Sequence, residues 1–322
     1  MKNTVVYFSV IFLILFGCKE NTDNVNRFDI KEIGELLDSA NNETLDNEIR
    51  SIKALEVVSK VKHWPNDSLK SALLFKAANR FYNIKDFGNY FKVSKDILKI
   101  NIQRKDTAGI CKASYYIADY YTETNKADSA FYYTNFGSKI ASRANLKDYL
   151  SQGLINKALI FISQSDYTSG ERELYKVLKF LKKNPNENML VQTYELLSLV
   201  SIALEQYDIA EKYCQDLITI SKITSDPTFE LLSSSTYNNL GLIKLKKKSY
   251  SDALIAFKQA LENPSLKSSR FDIYLTVLDN IEFTNFKLKT RTNYDQIAQF
   301  LIKAKDSIKD SAGAITTLLR LS

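Results

Sequence analysis

The sequence predicts an all-α fold, a stack of helix pairs recurring about every forty residues. Three observations predict it. First, 322 residues contain only 9 Gly and 4 Pro, too few for the tight turns of a sandwich or barrel. Second, small residues recur in two interleaved series. One runs Ala253, Ala210, Gly170 and Ala130, the other Gly241, Ser198, Ala158, Ala118 and Ala78, with steps of 43, 40 and 40 residues shared by both. Third, Pro65, Pro185, Pro227 and Pro264 all fall between one expected pair and the next. Inside a helix each would cost about 3 kcal/mol.

The clearest unit is 237–263, YNNLGLIKLKKKSYSDALIAFKQALEN. Gly241 and Ala253 are expected where its two helices cross, letting the backbones approach closely. Leu240 and Phe257 are expected to fill the wedge beside them, and Tyr250 to pack across the turn. An aromatic, Leu-Gly, then Ala, Phe and Ala at these offsets, with Pro264 after them, resembles the tetratricopeptide repeat. The resemblance implies antiparallel helix pairs wound into a right-handed superhelix. The step exceeds that family's usual ~34 residues, so either the helices or the turns must be longer.

Followed backward, the residue opening each second helix is Tyr250, Tyr207, Tyr167, Ala127 and Phe87. Tyr90 occupies a slot that is small elsewhere, so its unit is expected to pack more loosely or shift in register. A weaker copy covers 28–60, with EIRSIKALEVVSK as its second helix. Forward, Tyr294 and Ile297 continue the series in 293–304 with Asn285 in the first small slot. That makes about seven helix pairs. Asp226-Pro227 suits a helix start. The final stretch, KDSAGAITTLLRLS at 309–322, aligns with KDTAGICKASYYIA at 105–118 and reads as one more first helix. It is either a lone capping helix, polar along Gly313, Thr316, Thr317 and Arg320, or an interior helix of a truncated chain, apolar along Ala314, Ile315, Leu318, Leu319 and Leu321.

The chain opens MKNTVVYFSVIFLILFGCKEN. Val5 to Gly17 is apolar apart from Ser9. As a helix it would span about 20 Å, short of the ~30 Å hydrocarbon layer, which suits a secretory signal. Leu15-Phe16-Gly17-Cys18 resembles the bacterial lipoprotein box, with Phe16 bulkier than usual. The resemblance implies a signal peptide over 1–17, a lipidated Cys18 at the mature N-terminus, a polar tether over 18–27 and the repeat domain over 28–322. Two or more acyl chains anchor stably to a membrane. Lys19, where an Asp would signal inner-membrane retention by analogy with enteric lipoproteins, points to the outer membrane of a Gram-negative envelope.

Composition excludes several function classes. The net charge of +7 comes from lysines spread along the chain, densest in KLKKKS at 244–249, which reads as a solvated helix end; no nucleic-acid partner is expected. Cys111 and Cys214 read as small buried residues, with a disulfide between them left open. The only histidine, His63, lies in an expected turn beside Trp64 and Pro65, so a zinc site lacks ligands. No Walker loop, nucleophile elbow or dinucleotide turn is present. Neither an enzyme nor a cofactor is expected.

The family resemblance implies that a concave face of first helices binds a protein or peptide. Carried over, its positions are Phe75, Asn79 and Tyr82, then Tyr115, Asp119 and Thr122, then Glu195 and Asn238. An aliphatic stretch follows with Leu159, Ile162, Leu199, Ile202, Leu242 and Leu245, more readily explained by packing between long helices. The family's carboxylate clamp needs a basic residue where Phe75, Asn79, Tyr115 and Asp119 stand, so that ligand is not expected. Two functions follow. One is an envelope-anchored scaffold for a protein or peptide; the other is the extracytoplasmic sensor part of a membrane-tethered regulator, which requires truncation at Ser322.

Overall fold

In the computed structural model, helices begin at Phe87, Thr107, Ala127, Lys147, Tyr167, Glu187 and Tyr207, a constant step of 20 residues. The structure describes residues 27–42, 45–223, 228–264, 266–269, 271–293, 295 and 299. The first two units pair α1 (Arg27–Asn41) with α2 (Asn47–Val61) and α3 (Ser68–Asn83) with α4 (Phe87–Arg104). The next two pair α5 (Thr107–Glu123) with α6 (Ala127–Arg143) and α7 (Lys147–Ser163) with α8 (Tyr167–Leu181). Then come α9 (Glu187–Ala203) with α10 (Tyr207–Ile223) and α11 (Thr228–Lys246) with α12 (Tyr250–Ala260). The four-residue α13 (Leu266–Ser269) precedes α14 (Phe271–Lys287). No strand occurs among the described residues, and the fold is a tetratricopeptide-like solenoid.

The turns explain the constant step. Lys85, Lys105, Asn125, Asn145, Ser165, Glu205, Lys248 and Lys289 all adopt left-handed backbone, with φ between 54° and 61°. The next amide bonds back into the helix just ended, as in Asp106 N to Asn101 O at 3.0 Å and Lys126 N to Tyr121 O at 2.8 Å. This satisfies carbonyls that a helix end leaves bare. The same next residue often caps the following helix. Asp86, Asp106 and Asp166 accept the amides of Asn89, Gly109 and Ser169 at 3.1, 2.9 and 3.0 Å. A Lys-Asp or Ser-Asp pair therefore closes one helix and opens the next. The long repeat comes from long helices, not long turns.

From α3 to α12, every expected small slot is buried. Ala78, Ala130, Ala158, Ser198, Ala210 and Ala253 are fully inaccessible. At Gly241 the Phe257 ring occupies the space a Cβ would need, so that glycine is required by the crossing. Tyr90 is also buried, at 2% exposure. Its ring joins Phe81, Val93 and Ile97 in the largest hydrophobic cluster of the chain's described residues. In α14, Thr284 is inaccessible while Asn285 is partly exposed, so this unit is shifted by one residue.

Successive first helices touch: α1 with α3, α5 with α7, α7 with α9, α9 with α11, and α11 with α14. Successive second helices approach less. The stack therefore curves with the first helices inside.

Pro65, Pro185 and Pro264 lie between units. His63 is exposed in the turn after α2. Cys111 and Cys214 are buried free thiols. The lysine run serves an internal contact: Lys247 reaches Asp208 and Glu211 at 2.7 and 2.8 Å, and Lys244 also pairs with Glu211. The signal peptide and Cys18, most of the tether, Asp226-Pro227, Tyr294, Ile297 and the 309–322 helix lie outside the described residues.

Candidate functional site

The inner face of α3 and α5 gathers a cluster of polar and aromatic side chains. Along α5, Lys112, Tyr116, Asp119 and Glu123 recur at helical spacing and form one stripe. Along α3, Asn79 and Tyr82 face them. Tyr116 donates its hydroxyl to Asn79 Oδ1 at 2.7 Å. Tyr82 donates to Glu123 Oε1 at 3.0 Å. From beneath, the buried Tyr90 of α4 donates to Asp119 Oδ2 at 3.3 Å. Tyr90 is flanked by Tyr82 and Tyr116, with ring centroids 5.2 and 5.6 Å away. Phe75 meets Tyr116 edge-on at 5.2 Å, and Lys112 Nζ lies 4.5 Å over the Phe75 ring. Beside this cluster, Phe91 stacks on Tyr120 at 4.2 Å, and Tyr121 on Tyr133 at 5.7 Å.

The electrostatics follow from this enclosure. Burial pushes the Asp119 carboxyl up to about 7, Tyr90's hydroxyl pulls it back, and the Glu123 charge adds to the rise. Burial pushes the Tyr116 hydroxyl up to about 12 and raises Tyr82 and Tyr90 as well. Burial lowers Lys112. No lysine or arginine pairs with Asp119 or Glu123 among the described residues.

The expected face is only partly at the surface. Asn79 and Tyr82 are exposed, and Asp119, Thr122 and Glu195 are partly so. Thr122 bonds its own helix, to Ala118 O at 3.0 Å. Three residues need correction. Tyr115 is 3% exposed and points through the stack, donating to Tyr149 O at 2.6 Å. Its ring fills a slot opened by Gly137, where an added Cβ would lie 2.7 Å from the ring. Asn238 is buried because α14 covers α11, and it accepts from Asn280 Nδ2 at 3.0 Å. Phe75 is buried under Lys112. In the aliphatic stretch, Leu159, Ile162, Ile202, Leu242 and Leu245 pack on core clusters, while Leu199 is 48% exposed.

Sequence reasoning missed Lys112, Tyr116, Glu123 and Tyr90. The signal was present as the spacing of 112, 116, 119 and 123, one register away from the stripe taken through Tyr115. Among the described residues no group of three His, Cys, Asp or Glu could hold a metal ion. No described helix is long and apolar enough to cross a membrane.

No family model matches the sequence, nor does any curated protein. Solved structures do resemble the fold. Aspartyl phosphate phosphatase F from Bacillus subtilis superposes with a TM-score of 0.62 at 14% identity, over 89% of this chain and 70% of that one. A Rap protein complexed with Competence and Sporulation Factor gives 0.61 at 14%, over 95% and 87%. NprR in complex with its cognate peptide NprX gives 0.55 at 16%, over 92% and 84%. At these identities the likeness concerns the fold.

Proposed function

We propose that this chain is an envelope-anchored repeat lipoprotein that binds a protein or peptide on the inner face of its first helices. One observation carries the binding reading: Asn79, Tyr82, Tyr116, Asp119 and Glu123 converge on one stretch of that face. Their hydroxyls and carboxylates can pair with a partner's backbone and side chains, and their rings give it rigid apolar area at low entropic cost. Such arrays leave the concave surface free to bind, and NprR, of similar fold, is known with its peptide NprX. The lipid anchor is proposed at Cys18, from the Leu15 to Cys18 box, with the outer membrane as its site. The role is binding rather than catalysis, and no nucleic acid is involved. Aspartyl phosphate phosphatase activity belongs to that relative by its own name.

Replacing Asn79 and Tyr82 together by Ala tests the binding role. Both are exposed, though Tyr82 also packs on Phe87 and Tyr90, so the melting temperature should fall only modestly, with the chain still folded, while recovery of the bound partner from envelope extracts falls. Undiminished recovery would place the binding surface elsewhere.

A further inference from the structure

We infer that the inner face of α3 and α5 takes a cationic group of the partner, a lysine or arginine side chain or an amino terminus of a peptide, seated against Asp119 and Glu123 beside the Tyr82 and Tyr116 rings. The inference rests on the binding role proposed above and names the chemistry of the partner.

Three observations carry it. The first is an unfilled pairing capacity. Asp119 and Glu123 stand one turn apart on α5, and the structure gives each a single side-chain bond, to Tyr90 Oη and Tyr82 Oη. Asp119 Oδ1 has no protein partner among the described residues, and Asp119 is partly exposed. An incoming N–H donor can therefore reach it. The second is the lack of an internal counter-ion. The chain has 44 Lys and Arg, yet none pairs with either carboxylate among the described residues. Lys112, two turns away on the same stripe, is held over the rings of Phe75 and Tyr116 instead. The third is the wall. Tyr82 and Tyr116 flank the buried Tyr90, and tyrosine faces attract a cation within about 6 Å. A neutral group gains a hydrogen bond or ring contact here and an acidic group is repelled, whereas a cation gains both the charged bond to the carboxylates and the rings.

The protonation of Asp119 follows. Its carboxyl, enclosed beside Tyr82, Tyr90, Tyr116 and Glu123, titrates near 7. A bound cation favours the ionised form, so the proton leaves to solvent on binding. Affinity for a cation should rise from pH 6 to pH 8. Lysine and arginine keep their charge over that range, so the change reports the protein.

The test uses the full chain in non-ionic detergent with tyrosine rings carbon-13 labelled. The probes are three acetylated, amidated pentapeptides, Ala-Ala-Xaa-Ala-Ala, with Xaa as lysine, norleucine or glutamate, followed by NMR titration. The lysine peptide should shift the Tyr82 and Tyr116 signals, and more strongly at pH 8 than at pH 6. Asp119→Asn should weaken it about tenfold, as expected for losing a charged hydrogen bond, and should abolish the pH dependence. Asn keeps an acceptor for Tyr90, so folding is retained, and an unchanged tyrosine spectrum of the free variant verifies this. Equal shifts from the norleucine peptide, surviving Asp119→Asn, would overturn the cationic preference while leaving binding at this face intact. Tighter binding of the glutamate peptide, or no shift with the lysine peptide, would also overturn it.

Discussion

Asp119 offers a stability test whose sign runs against ordinary acid denaturation. Its carboxyl titrates near 7 in the folded chain against a reference of 3.8. The folded state thus binds the proton more tightly than the unfolded state. Stability from this group is complete below the reference value and is lost as pH rises toward 7. At about 1.4 kcal/mol per unit the full loss is a little over about 4 kcal/mol. That is a ceiling, because Asp119 is partly exposed and solvent trims such effects. Asp119→Asn removes the titration but keeps the acceptor for Tyr90. Asp86 and Glu211 are held below their reference values by their hydrogen-bond partners. They act in the opposite sense, but equally in both proteins, and cancel in the difference. Urea unfolding followed by circular dichroism at several pH values from 4 to 8 gives the comparison. The two proteins should be near parity at pH 4, with the Asn variant ahead by at least about 1 kcal/mol at pH 8. A difference that stays flat with pH would refute the enclosure of this carboxyl.

Other outcomes follow from the packing and the leader. Gly137→Ala drives a Cβ to 2.7 Å from the Tyr115 ring and 3.3 Å from Cys111 O. The ring is tethered through its hydroxyl to Tyr149 O, so the urea midpoint should fall by about 1–3 kcal/mol of stability, and a rise would contradict the slot. Lys105→Gly relieves a left-handed lysine with φ of 54° and should stabilise by about 1 kcal/mol, visible as a higher urea midpoint. Cys18→Ser should abolish labelled palmitate incorporation and release the protein from membranes; wild-type protein should take up label and stay bound in high salt, because buried hydrocarbon holds it.

How much of the molecule is legible in the sequence depends on whether a residue type has one physical use. Small slots are unambiguous: Ala158 and Gly241 have no function but to let backbones meet, so their spacing alone marks the repeat. Prolines are equally direct. The turns are less legible, because they place Lys, Asn, Ser and Glu in left-handed conformation where glycine would have announced the helix end. Site residues are the least legible. Tyr115 and Tyr116 are adjacent and alike, yet about 100° of helix rotation sends one through the stack to Tyr149 and the other onto the inner face. Asn238 looks exposed by register, and only the seat of α14 reveals its bond to Asn280.

The central claim is that a partner binds the inner face formed by α3 and α5. Site-specific photocrosslinking in intact cells tests it most directly. A photoreactive residue replaces Asn79 or Tyr82 on the inner face, and in a separate protein Lys179, which is exposed on the second helix α8. The account predicts a discrete crosslinked species from positions 79 and 82, absent at 179 and lost when Asp119→Asn and Glu123→Gln are added. A discrete species from 179 with none from 79 or 82 would contradict it.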